Sequence, residues 1–308
     1  MSKQQGRKIA IVGASGTIGG LTLDALREKN IHTLTAVTRA ASSATFPADV
    51  IVKAGDYADE EFLVSAFRGQ DAVVLQLSFD SFLTGQAPLI RAAAKAGVKW
   101  ILPTEFGSDP VPSKLLAASP MLGAKKQFRD LAEELGVSWV AIVSNPWFDW
   151  SLARGLWGID IANRSARLFD GGATKFVTTT IGNTARGAAG VLSLPDAELE
   201  AFRNRPVYLK SFHVTQREVF DSVLRATGTE EKDWKVEVPD AAAVVAENEE
   251  KAKQGDVGGM MVAFYVNHMR EGWGGDYNAK VGDLSKLGIA EEDLDEVVKK
   301  VVQEVEGQ

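Results

Sequence analysis

A strand that ends in a glycine-rich turn and runs straight into a helix constrains this chain more than any other feature. Ile9-Ala10-Ile11-Val12 is a continuous apolar run of strand length, and Gly13-Ala14-Ser15-Gly16-Thr17-Ile18-Gly19 follows it at once. An apolar run without polar alternation suits a strand buried on both faces, as in parallel sheets covered by helices. In the G-x-x-G-x-x-G spacing, Gly13 permits the tight exit from the strand, Gly16 lets backbone N–H groups approach a phosphate, and Gly19 lets the helix pack closely on the strand. The loop, with Ser15, Thr17 and Ile18 between its glycines, is expected to hold the pyrophosphate of a dinucleotide at the helix N-terminus.

The first half continues in the same rhythm. Strands are expected at Lys8 to Val12, Thr33 to Val37, Asp49 to Val52, Ala72 to Leu77, Trp100 to Leu102 and Trp139 to Val143. Helices are expected between them at Thr17 to Lys29, Glu60 to Phe67, Gln86 to Ala96 and Pro120 to Leu135. This order builds an α/β fold, a Rossmann-type doubly wound parallel sheet. After Asn145-Pro146 the pattern breaks into aromatic-rich and glycine-rich pieces, with helices near Asn183 to Leu194, Gln216 to Thr227, Asp240 to Lys253 and Glu291 to Glu306. The expected division is an NAD(P)-binding domain over 1–150 and a smaller mixed α/β substrate-side region over 151–308, with an approximate boundary that the chain is free to cross again.

Nucleotide choice is read at the end of the second strand, where NAD-binding loops usually carry an acid for the ribose hydroxyls. From Asn30 through Ala48 there is no acid, and Thr38-Arg39 stands at that point. A guanidinium matches a phosphate monoester, so NADPH is the expected cofactor. Asp56, after the third strand, either lines the adenine side or caps a turn. The remaining composition excludes other classes. With 34 basic and 41 acidic side chains the net charge is −7, which disfavours nucleic acid and anionic lipid as partners. The absence of cysteine removes thiolate chemistry and disulfides, and the three histidines lack ligand spacing, so no metal is expected. No apolar stretch has the length of a leader or a membrane span, and the cytoplasm is the expected location.

None of the four tyrosines has a lysine four residues on, so the Tyr-x-x-x-Lys pair of common short-chain reductases is missing. Pro103-Thr104-Glu105-Phe106-Gly107 follows the fifth strand, Lys125-x-x-x-Arg129 lies on the long helix, and Ser144-Asn145 follows the sixth strand. With Gly13 to Gly19, Arg39 and Ala96-Gly97-Val98-Lys99, these segments resemble the isoflavone reductase-like branch of the NmrA-like, atypical short-chain dehydrogenase/reductase family, closely in the first half and loosely in the second. By sequence alone Lys125, with Lys126 beside it, reads as a solvated helix lysine. The resemblance implies instead that Lys125 lies by the nicotinamide as general acid/base, that Asn145 adjoins the cofactor, and that Glu105 and Phe106 adjoin the substrate. Arg129, one turn on, would lower the lysine's pKa. Two departures bear on the substrate: Thr104 stands where the family commonly has serine, and the family's aromatic segment before the lysine is shortened.

Trp147, Phe148, Trp150 and Trp157 crowd the segment after the sixth strand, either stacking on a flat substrate or filling the core. Gly258-Gly259-Met260-Met261 and Gly272-Trp273-Gly274-Gly275 read as lid segments or as loop and core packing. Two functions lead, beside a third, an epimerase or rearrangement catalyst that uses the cofactor transiently or structurally. One is an NADPH-dependent reductase of a small aromatic or conjugated carbonyl-type metabolite, with a homodimer allowed; the other is an NADP(H)-sensing regulator that binds a protein partner without turnover.

Overall fold

A computed structural model describes residues 4–307. In chain order it has β1 (Lys8–Val12), α1 (Thr17–Glu28), β2 (Thr33–Arg39), β3 (Ile51–Gly55), α2 (Glu60–Phe67), β4 (Ala72–Leu75), α3 (Phe82–Lys95) and β5 (Trp100–Leu102). Three short helices follow, α4 (Lys114–Ala118), α5 (Pro120–Ala124) and α6 (Lys126–Glu134), then β6 (Ser138–Val143) and α7 (Phe148–Leu152). The remainder comprises β7 (Ile159–Asp160), β8 (Ser165–Arg167), β9 (Lys175–Thr178), α8 (Ile181–Ser193), α9 (Asp196–Glu200), β10 (Arg205–Tyr208) and β11 (Phe212–Thr215). It ends with α10 (Gln216–Thr227), β12 (Lys235–Glu237), α11 (Ala241–Lys253), α12 (Val257–His268) and α13 (Leu294–Glu306).

Seven parallel strands form the main sheet in the order β10-β6-β5-β4-β1-β2-β3. The winding direction reverses between β1 and β4, which opens a crevice at their carboxyl ends, the usual ligand position in such sheets. β4 and β6 are buried along their whole length. Ile9, Ile11, Val74 and Ile142 pack with residues of α1 and α8, while Ala10, Val12, Val73 and Ile101 pack with α2, α3 and α6. Continuous apolar runs are needed because both faces are covered. β10 pairs with β6, from Arg205 opposite Val140 to Tyr208 opposite Val143, so the chain does return to the sheet after residue 150. Two smaller sheets, β11-β9 and β12-β8-β7, lie outside it, and a separate apolar cluster around Phe148, Trp157, Phe176, Phe220 and Tyr265 fills the later part of the chain.

Several boundaries differ from expectation. β3 spans Ile51–Gly55, because Asp49 is outside the strand and accepts from Arg27 Nε at 3.0 Å. α3 starts at Phe82, four residues early, and carries Pro88 inside it. The helix expected from Pro120 to Leu135 is interrupted at Lys125: the Lys125 N–H donates to Leu122 O at 3.2 Å, and Lys125 O accepts from the Phe128 N–H, so the turn tightens there. Gly258-Gly259-Met260-Met261 is no lid, since it opens α12. Asp256 caps that helix by accepting from the Gly258 N–H at 2.8 Å. A Cβ at Gly259 would fall 2.9 Å from Asn248 O, so the glycine permits α12 to press against α11.

Candidate active site

A cleft of about 930 Å³ runs along the carboxyl ends of the central strands, from Arg39 at one end to Trp150 at the other. That volume is within the usual range for small-molecule sites, roughly 300–1,000 Å³. Residues 13–18 form its floor beside β1. Gly13 adopts a φ of +86°, and a Cβ there would meet Gln76 O at 2.1 Å. Gly19 does not line the cleft; a Cβ on it would stand 1.9 Å from Gly13 O, so this glycine seats α1 on the loop. Gly16 caps α1, its N–H donating to Gly13 O at 2.9 Å, and no side chain caps the helix or puts an acid in its first turn. The helix end therefore offers backbone donors and a positive dipole end to an anion.

Arg39 is exposed where β2 ends, and Thr38, largely buried, sits beside it; both line the cleft. Thr38 Oγ1 donates to the Arg39 backbone carbonyl at 3.0 Å, and no ion pair engages the Arg39 guanidinium among the described residues. Tyr57 closes this end. Its hydroxyl donates to Val37 O at 2.8 Å, and burial pushes its pKa up to about 12. Asp56 caps its turn, accepting from the Ala58 N–H at 2.9 Å, and does not reach the cleft.

The loop after β5, which also lines the cleft, is bent tightly. The Glu105 N–H donates to Pro103 O at 2.7 Å, Phe106 holds a left-handed φ of 30°, and Gly107 O accepts from the N–H groups of Ser144 and Asn145. Thr104 is pinned by Gln86, whose Oε1 accepts from the Thr104 N–H at 2.8 Å, and by its own hydroxyl donating to Leu75 O. This geometry brings Glu105 under Lys125. Lys125 Nζ donates to Glu105 O at 2.9 Å and stands 3.9 Å from Glu105 Oε2, while Arg129 Nη1 donates to Glu105 Oε1. Only 13% of the Lys125 side chain is exposed, and burial lowers its pKa from the usual lysine value; Glu105 opposes that shift and Arg129 adds to it. Arg129 acts in the expected direction, and desolvation, which the sequence could not show, is the larger cause. Glu105 lines the cleft, and Arg129 engages one oxygen of its carboxylate.

Among the aromatic candidates, Phe106, Trp147 and Trp150 line the cleft. The two tryptophans meet edge to face at 6.0 Å, and the Arg154 guanidinium covers Trp150 at 4.1 Å. Phe148 does not belong with them. It is fully buried against Phe212, because α7 turns the face that carries Phe148, Ser151 and Leu152 into the second core; Trp157, beyond that helix, is buried there against Phe176. Asn145 is likewise removed from the cleft: fully buried at a φ of 53°, it donates from Nδ2 to Val177 O and Gly275 O, tying two segments together. Phe79, Phe82 and Met121, which sequence reasoning missed, complete the apolar wall. The signal available was the position of Phe79 and Phe82 directly after β4, at the edge where the winding reverses.

Among the described residues no helix is long and apolar enough to cross a membrane, and no group of three or more His, Asp or Glu side chains could hold a metal ion.

The model of the NmrA-like family matches residues 5–152. Oxidoreductase poxI of Penicillium oxalicum is 30% identical over 306 residues, covering 96% of this chain and 94% of its own. Among solved structures, an isoflavone reductase superposes with a TM-score of 0.77 at 20% identity, over 96% of this chain and 99% of that one. AtPrR2 with NADP+ and (+)pinoresinol superposes with a TM-score of 0.76, also at 20% identity and with the same coverage. The chain therefore belongs to the NmrA-like family, among its isoflavone reductase-like oxidoreductases.

Proposed function

We propose that this chain is an NADPH-dependent reductase of a small aromatic or conjugated carbonyl-type substrate, with Lys125 as its proton donor. The observation that carries the reading is a single cleft with a phosphate-binding helix end and Arg39 at one side, an aromatic wall at the other, and a buried lysine between them. The residues fit the cofactor: the N-terminus of α1 has no side-chain cap and no acid in its first turn, and Arg39 at the end of β2 is placed for a 2′-phosphate. The relative solved with NADP+ supports the same choice. When bound, NADPH supplies a hydride to an electrophilic carbon of the substrate. Lys125 Nζ gives the proton that the resulting oxyanion or conjugated base requires, and recovers it from water. Burial favours this step, because a lysine with a lowered pKa is a stronger acid. Phe106, Trp147 and Trp150 exclude water and present flat faces to an aromatic ring.

The test pairs Lys125→Ala with Lys126→Ala. The first is expected to leave NADPH affinity nearly unchanged and to cut turnover by about 10²–10⁴-fold, the usual cost of losing a general acid. The second removes an exposed side chain that pairs with Asp130 and is expected to change little. Turnover is followed as NADPH oxidation over conjugated ketones, flavonoid-like phenolics and quinones. Equal losses from both variants would refute the role of Lys125. Tight NADPH binding with no turnover across the panel, together with a stable protein partner, would establish the sensing regulator instead.

A further inference from the structure

We propose that Glu105 is the positioning residue of this site, which holds the Lys125 ammonium in place and charged by dividing its own oxygens between two cations. The inference rests on the proton-donor reading of Lys125 and adds the residue that keeps the proton there.

Glu105 meets Lys125 twice, through its backbone carbonyl at 2.9 Å and through Oε2 at 3.9 Å. The other carboxylate oxygen, Oε1, is taken by Arg129. All three side chains are nearly removed from water, with 13%, 4% and 8% exposure for Lys125, Glu105 and Arg129. A buried carboxylate between two cations leaves the cluster with a net positive charge, and its attraction is not screened as a surface pair's is. Without Glu105, both cations would face each other in an apolar pocket, and the lysine is the one able to shed its proton.

The backbone is bent for this contact. Phe106 is a non-glycine residue in the left-handed region, and the turn from Pro103 to Glu105 closes with a hydrogen bond two residues apart. Together they aim the carbonyl and the carboxylate of one residue at the same ammonium. α3 contributes an uncharged group to the lysine, the Phe82 ring with its centroid 5.5 Å from Nζ. Asp80, on the loop before that helix, also lines the cleft, but no ion pair joins it to Lys125. Lys126 turns away to Asp130. Glu105 is therefore the carboxylate in contact with the lysine, and Arg129 is the cation that competes for it.

The experiment titrates Lys125 directly, by side-chain NMR of the lysine-labelled full chain, and compares its midpoint with the basic limb of the kcat profile. Glu105→Gln keeps an acceptor for Arg129 and the backbone carbonyl for Lys125, but removes the charge. Its Lys125 midpoint is expected to fall by about one pH unit or more, the usual size for losing an adjacent opposite charge. Arg129→Gln, which removes the competing cation, is expected to move the midpoint upward, and Glu105→Asp to restore most of the parent value. The basic limb of kcat should follow each shift, while the Kd for NADPH stays near that of the parent. A Lys125 midpoint unmoved in Glu105→Gln, or moved the same way by Glu105→Gln and Arg129→Gln, would overturn the proposal. If Glu105→Gln does not fold, an unmoved midpoint in Arg129→Gln does so alone. The titration needs no substrate, so it can fail or succeed whether or not Lys125→Ala abolishes turnover.

Discussion

Lys125 and Lys126 are chain neighbours in opposite surroundings. Successive helical positions point about 100° apart, so one ammonium reaches Asp130 in solvent while the other is drawn into the cleft. Their residue types could not show which was which; the tightened turn at 125 and the bent loop at 105 decide it. Arg39 is simpler, because its position at the end of a strand follows from the glycine loop two elements earlier. Arg39→Ala is expected to raise the Kd for NADPH about ten- to hundredfold, the loss of a charge-assisted contact of roughly 1.5–3 kcal/mol, and to leave NADH binding almost unchanged. Fluorescence titration with both nucleotides checks this, and equal affinity of the parent protein for the two would refute the assignment. Phe148 and Asn145 show the converse case. Trp147 and Trp150 of the same segment line the cleft, and only the helical turn of α7 and the buried bridge to Val177 and Gly275 reveal that these two do not.

At the scale of the element, the glycine loop divides its labour in a way that substitution can separate. A Cβ at Gly19 collides with backbone at 1.9 Å, whereas one at Gly16 meets only Gly13 O, at 3.2 Å. Gly19→Ala is therefore expected to destabilise the fold by about 1–3 kcal/mol, as overpacking does, and to lower Tm by a few degrees. Gly16→Val is expected to keep Tm near that of the parent while weakening NADPH by more than about tenfold, since its side chain stands where the phosphates approach. Thermal melts with and without nucleotide distinguish the two; a Gly16→Val variant with parental affinity would mean that the phosphates lie elsewhere. The elements of the first half were readable because uninterrupted apolar runs and glycine turns mark buried parallel strands. α12 was not. It is apolar nearly all round and opens with Val-Gly-Gly, so neither a polar face nor a helix-forming start announces it, and its existence depends on the Asp256 cap and on α11 beside it. Lys125-x-x-x-Arg129 suggested one unbroken helix because spacing alone does not register a turn that tightens.

Across the whole molecule, the sheet is completed from the far half of the chain. β10 covers the edge of β6, and Ala185, Val191, Leu192, Val207 and Leu209 fill one face of the central core. Arg7, next to β1, donates to Leu192 O and Leu194 O at 2.7 Å each, at the end of α8. A fragment of residues 1–152, although it holds the entire glycine loop and Lys125, is thus expected to lack a cooperative thermal transition and to bind NADPH far more weakly than the full chain. Calorimetry and titration of the fragment check this, and a sharp transition with full-length affinity would show that the first half folds alone. The late arrival of β10 also bears on synthesis. A nascent chain that has just released β6 from the ribosome carries an open strand edge and half a core until some tens of further residues emerge. At roughly 5–20 residues per second this interval lasts a few seconds. During that time the β6 edge is open to pairing with a neighbouring copy on the same messenger, so a pause in translation between β6 and β10 would lengthen the interval in which this fold is exposed to aggregation.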